Sequence, residues 1–149
     1  LAKLPLFIRA GALIPLLRPT IDTVLAAGND TLVDAFEDDA GSLTVRASLG
    51  PLHTLALYDG TVLTQRPGNA SIITTLEITP GDVFSHGVVF EIIGLNPLPT
   101  KVAAAEPLPT VASREALDEV ALGWFCEDAP TSTCWIKLPA GVTAASLFL

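Results

Sequence analysis

Turn residues punctuate this chain roughly every ten residues, and that spacing limits the fold more than any other feature. Twelve prolines and eleven glycines divide the 149 residues into short runs. A proline cannot donate to a sheet ladder or continue a helix, and glycine supplies the backbone angles that tight turns need. The intervening runs are too short for packed helices and are rich in β-branched residues: Thr54–Tyr58, Thr61–Gln65, Ser71–Thr79, Val88–Ile93, Lys101–Ala105 and Ala144–Leu149. Most alternate apolar with polar residues, as strands do when one face is packed. About ten short strands with almost no helix predict an all-β chain, an immunoglobulin-like antiparallel β-sandwich.

The connections are also legible. Asp59-Gly60 is the strongest hairpin signal and joins two of these runs. Asp38–Gly41 predicts a second hairpin, between Thr31–Phe36 and Ser42–Ala47. A third joins Glu119–Cys126 to Cys134–Leu138. Ser113 is placed to cap the one helix-like run, Ser113–Glu119, which is long enough for a single turn.

Half of the residues are hydrophobic and 16% are charged, which excludes a disordered chain and leaves enough apolar side chains for one core. The net charge of -8 argues against nucleic acid, whose phosphates need clustered Lys and Arg. The apolar runs are too short for a membrane-spanning helix. Methionine is absent even at position 1 and Leu1-Ala2-Lys3 does not open a signal peptide, so the chain reads as a segment of a longer polypeptide.

The two cysteines lack metal-ligand spacing, and no metal or cofactor is implied. In the third hairpin, Cys126 and Cys134 face each other, and a disulfide between them implies an extracellular or periplasmic setting. Two buried free thiols are the alternative, and they imply a cytoplasmic one. Trp124 and Cys126 share one face of their strand, Cys134 and Ile136 share one on the next, and Trp135 points the other way. Trp135 is therefore the candidate for contact with carbohydrate, against packing within a core or between domains.

No catalytic residue is assigned. Glu37-Asp38-Asp39 is a dense carboxylate cluster, but consecutive residues on a turn diverge, so it reads as a solvated turn. Ser85 and His86 are adjacent and point to opposite faces, and no nucleophile elbow surrounds the serine. His53 reads as a loop residue. Asn29-Asp30-Thr31 and Asn69-Ala70-Ser71 fit the acceptor pattern for N-glycosylation.

The opening stretch has the densest apolar character. Leu6–Ile8 and Ala12–Ile14 predict two short strands around Gly11, flanked by Pro5 and Pro15. Within the stretch, Arg9 needs an acceptor or solvent. Leu4, Leu6, Phe7, Ile8, Leu13, Ile14, Leu16 and Leu17 are too many apolar side chains for one sheet face, so residues 1–25 read as strands facing a neighbouring domain, or the end of one. Residues 26–149 form the sandwich proper. Exposed in isolation, the first segment is also a surface for dimerisation.

Leu4–Pro15 resembles the segment that opens the β-sandwich behind the catalytic (β/α)8 barrel in glycoside hydrolase family 31, the α-glucosidase and α-xylosidase family. Phe36-Glu37-Asp38-Asp39-Ala40-Gly41-Ser42 resembles a turn further along in that family, and the two motifs occur in the family's order. The resemblance covers about the first third of the chain. It implies a non-catalytic C-terminal accessory domain whose partner is the barrel of a retaining α-glycosidase, the two catalytic aspartates lying in barrel motifs that this sequence lacks. An independent carbohydrate-binding module and a secreted structural or adhesion sandwich are the alternative readings.

Overall fold

In the computed structural model of this chain, residues 7–128 and 131–149 are described. Among these residues, ten strands form two five-stranded sheets, with one short helix outside them. The strands are β1 (Leu13–Leu16), β2 (Leu43–Ser48), β3 (His53–Ala56), β4 (Val62–Pro67), β5 (Ile72–Thr79), β6 (Val88–Ile93), β7 (Lys101–Ala103), β8 (Gly123–Glu127), β9 (Thr133–Leu138) and β10 (Ala144–Phe148). The first sheet has the order β1-β2-β6-β9-β8 and the second β3-β4-β5-β10-β7.

Alternation decides what lies between the sheets. Leu43, Val45 and Ala47 of β2 point inward beside Phe90 and Ile92 of β6 and Cys134, Ile136 and Leu138 of β9. Leu63, Leu76, Ile78, Ala145 and Leu147 meet them from the second sheet. Among the buried polar residues, Gln65 at an inward position of β4 is fully buried with neither side-chain polar atom bonded to a described partner.

The sandwich is as the sequence predicts, with one departure. Strands β2 and β6 pair in parallel, Leu43 with Val88 through Ser48 with Ile93, so the first sheet is mixed. The chain leaves β2, lays down β3, β4 and β5 in the other sheet, and returns beside β2 in the same direction.

The hairpin predicted around Asp38–Gly41 does not form. Thr31–Phe36 runs as loop, touching Thr23 through an isolated bridge at Ala35, while β2 takes β1 and β6 as neighbours. The acidic turn has other partners: Glu37 accepts from the Ala26 amide at 3.0 Å and Asp38 from the Ala27 amide at 2.9 Å. Arg18 reinforces the same loop, pairing with Asp34 and donating to the Asp39 carbonyl at 2.6 Å. The hydrogen bonds that Arg18 donates to the Asp34 carboxylate hold its pKa below its ordinary value.

In the opening stretch, Leu4 and Leu6 lie outside the described residues. Phe7 and Ile8 are exposed and not in a strand, and β1 starts later than expected, at Leu13. Arg9 is exposed as well, which meets its need through solvent. The helix α1 (Arg114–Glu119) is slightly longer than one turn, and Ser113 caps it by accepting from the Ala116 amide at 3.2 Å. Strand β7 ends at Ala103, short of the predicted Ala105. No helix among the described residues is long and apolar enough to cross a membrane.

Candidate functional site

Two surfaces stand out, and the first follows from strand alternation. The first is the solvent face of the β1-β2-β6-β9-β8 sheet. On β8 and β9 the inward residues are Trp124, Cys134 and Ile136, so Phe125 and Trp135 must point outward. They lie directly opposite each other, their ring centroids 5.9 Å apart and their planes 18° from parallel, an offset-stacked pair. Both rings are partly exposed.

The pairing register continues this line across the sheet. Trp135 faces Glu91 on β6, Glu91 faces Arg46 on β2, and Arg46 faces Ile14 on β1. Arg46 grips Glu91 with two hydrogen bonds, from Nε to Oε2 at 2.9 Å and from Nη2 to Oε1 at 3.1 Å. One transverse row thus carries an aromatic pair and, beside it, a bidentate ion pair. The next row toward the helix is covered: Leu117 of α1 lies over Gly123, and Lys137 Nζ donates to the carbonyls of Leu117 and Asp118 at 3.3 and 2.8 Å.

The predicted residues fall out differently. Trp135 is outward and partly exposed as expected, whereas Trp124 is buried and donates from Nε1 to the Leu108 carbonyl at 3.2 Å. Cys126 and Cys134 are register partners joined by a disulfide, their Cα atoms 4.1 Å apart. Turn residues Ala129 and Pro130 between them lie outside the described residues. Phe125 could have been found by counting outward from Cys126 opposite Cys134. Arg46 and Glu91 carried no such signal, because their strands meet only through the parallel pairing.

The second surface is apolar and lies where the end of β1 meets three loops. Pro15, Leu16, Leu17, Val24, Phe36, Leu57, Tyr58 and Phe84 line a groove of about 340 Å³. Val24 is 58% exposed and Tyr58 79%, and Phe7, Leu25 and Leu32 add exposed apolar side chains nearby in sequence. The turn that presents Tyr58 is tied by hydrogen bonds to Asp59. Asp59 accepts from the Thr61 hydroxyl at 2.8 Å, the Thr61 amide at 3.1 Å and the Val83 amide at 3.3 Å. Burial pushes the Asp59 carboxyl up, but these hydrogen bonds outweigh it and the net shift is downward.

A larger cleft, about 520 Å³, runs between residues 103–108 and 141–146, and Glu106 is the one acidic residue lining it. His86 is exposed and stands 3.9 Å from Asp39, and His53 is exposed at the start of β3. Asn69 spends its carbonyl oxygen on the amides of Ser71 and Ile72 within its turn.

No protein-family model matches the chain, and no curated protein matches it. Its fold is similar to that of solved structures from Listeria monocytogenes. One is an uncharacterized protein of strain EGD-e, at 16% identity and a TM-score of 0.63. Another is a cycloalternan-forming enzyme in complex with a pentasaccharide substrate, also at 16% identity and 0.63. A third, the uncharacterized protein in complex with α-D-glucose, β-D-glucose, magnesium and calcium, gives 17% and 0.64. In each case the match covers 94% of this chain and 13% of the other.

Proposed function

We propose that this chain is the non-catalytic accessory sandwich of a family 31-like α-glycoside hydrolase, seated on the catalytic barrel of the same polypeptide. The observation that carries the reading is the pairing of two facts. Nearly the whole chain, 94%, superposes on 13% of an enzyme that acts on an oligosaccharide. The two sequence motifs at Leu4–Pro15 and Phe36–Ser42 resemble, in the same order, the segments that follow the barrel in that family.

The apolar surface supplies the docking face. Leu17, Val24 and Tyr58 are exposed around one groove, and large apolar side chains gain about 1.5–3 kcal/mol each when fully buried. Leu17 and Val24 follow β1, close in sequence to the opening stretch where the resemblance puts the junction with the barrel, and Tyr58 joins them from the turn between β3 and β4. The Cys126–Cys134 bridge supports an extracellular or periplasmic polypeptide.

Replacing Leu17 and Val24 together by Asp tests the docking. In residues 1–149 alone both side chains are exposed, so the melting temperature should stay within a few degrees of the parent. In the intact polypeptide the same pair should lower the melting temperature and the glycosidase activity. Unchanged stability and activity of the intact polypeptide would refute docking through this surface.

A further inference from the structure

We propose that the solvent face of the first sheet binds a neutral oligosaccharide, with Trp135 as the stacking platform and the Arg46–Glu91 pair as the hydrogen-bonding arm. Rows of side chains on the solvent face of a sheet are ordinarily polar, because the other face has already supplied the core. Here the inward side of the β8–β9 hairpin is filled by Trp124, Cys134 and Ile136, so the core does not require Phe125 or Trp135. The two rings nevertheless sit offset-stacked, 5.9 Å between centroids, and partly open to solvent.

A pyranose has one chemistry on its faces and another on its rim. Its axial C–H groups form an apolar patch that packs on an aromatic ring, while its equatorial hydroxyls point outward in the ring plane. The row matches both. Glu91 is the register partner of Trp135 and Arg46 the partner of Glu91. With neighbouring strands about 4.8 Å apart, Phe125 to Arg46 spans about 14 Å, the length of a short oligosaccharide and not of a single sugar.

The ion pair is suited to hydroxyl recognition. Arg46 commits Nε and Nη2 to Glu91, and its side chain is 41% exposed, leaving Nη1 to donate to a hydroxyl. Each Glu91 oxygen accepts one bond from Arg46 and retains lone pairs for a second donor. Held in mutual grip, the two side chains are preorganised, which reduces the ordering that binding requires. The pair is electrically neutral, and the chain carries a net charge of -8, so a neutral sugar is favoured over an acidic one. Helix α1, anchored through Lys137 one row away, forms a shoulder beside the aromatic pair.

Tryptophan fluorescence reads the site directly, since Trp124 is buried and Trp135 is the partly exposed indole. Maltopentaose, cellopentaose and xylopentaose are titrated separately into residues 1–149, with pentagalacturonic acid as the charged control of equal length. The expected result is a saturable change with at least one pentasaccharide and none with the acid. In isothermal titration calorimetry, which does not depend on the indole, Trp135→Ala should weaken binding about tenfold or more, and Trp135→Phe should retain part of it. Arg46→Met, which keeps the fold's surface volume, should weaken it by a similar factor. Melting curves confirm that each variant is folded. No saturable change with any pentasaccharide, or full affinity in a folded Trp135→Ala variant, would overturn the proposal. It stands apart from the accessory-domain reading: sugar binding here with no glycosidase in the intact polypeptide would sustain the one and sink the other.

Discussion

Replacing Cys126 and Cys134 together by Ala removes the one covalent link between two strands, and its cost is calculable. The cysteines are eight residues apart in sequence. For a loop of about nine residues, chain entropy gives about 2.5 kcal/mol of stabilisation at 25 °C. At roughly 2–4 °C per kcal/mol for a domain of this size, the melting temperature should fall by about 5–10 °C. The hairpin should survive, because Gly123–Glu127 and Thr133–Lys137 remain paired and β9 keeps its place beside β6. Loss should concentrate in β8, the last strand of its sheet, which the bridge ties to β9 and which residues 109–111 otherwise hold only at Trp124 among the described residues. Thermal melts of the two proteins measure the shift, and hydrogen exchange localises it to residues 123–127. Mass spectrometry of the native protein without reductant should find no alkylatable thiol. A shift under one or two degrees would refute the entropic argument, and two free thiols would remove the bridge and the oxidising compartment with it.

The buried amide of Gln65 has no described partner for either polar atom, so Gln65→Met should stabilise the protein by about 1–3 kcal/mol. A loss of stability in denaturant titration would show that the amide is satisfied. Asp59 has a folded-state pKa below its ordinary value, so its contribution is present above about pH 4 and is lost as pH falls through the folded value. Unfolding free energy should therefore drop less between pH 5 and pH 2 in Asp59→Asn than in the parent; parallel curves would contradict the hydrogen-bond account.

What the sequence made legible was local. The β-branched run Ser71–Thr79 became β5, Ser113 caps α1, and the cysteines face each other because the strands beside them alternate in step. The Asp59-Gly60 hairpin also formed, but its loop is wider than the two-residue turn that dipeptide signals. Leu57 pairs with Thr61, and Gly60 has a φ of 86°, the left-handed region where glycine carries no steric penalty. The failures came where a side chain found a better partner far away. Glu37 and Asp38 bond amides of residues 26 and 27, drawing the acidic turn onto a loop instead of into a hairpin. The Arg46–Glu91 pair joins residues 45 apart through a parallel ladder, and nothing near either residue announces it.

Glycosidase turnover tests the central claim most directly. Aryl α-glucoside and α-xyloside substrates are offered to the intact polypeptide that contains this sequence and, separately, to residues 1–149. The accessory-domain account predicts turnover by the intact polypeptide and none by residues 1–149, because a retaining glycosidase needs two carboxyl groups about 5 Å apart and the resemblance assigns both to the barrel. Turnover by residues 1–149 that is abolished by substituting one of its own acidic residues, or no turnover by the intact polypeptide, would contradict it.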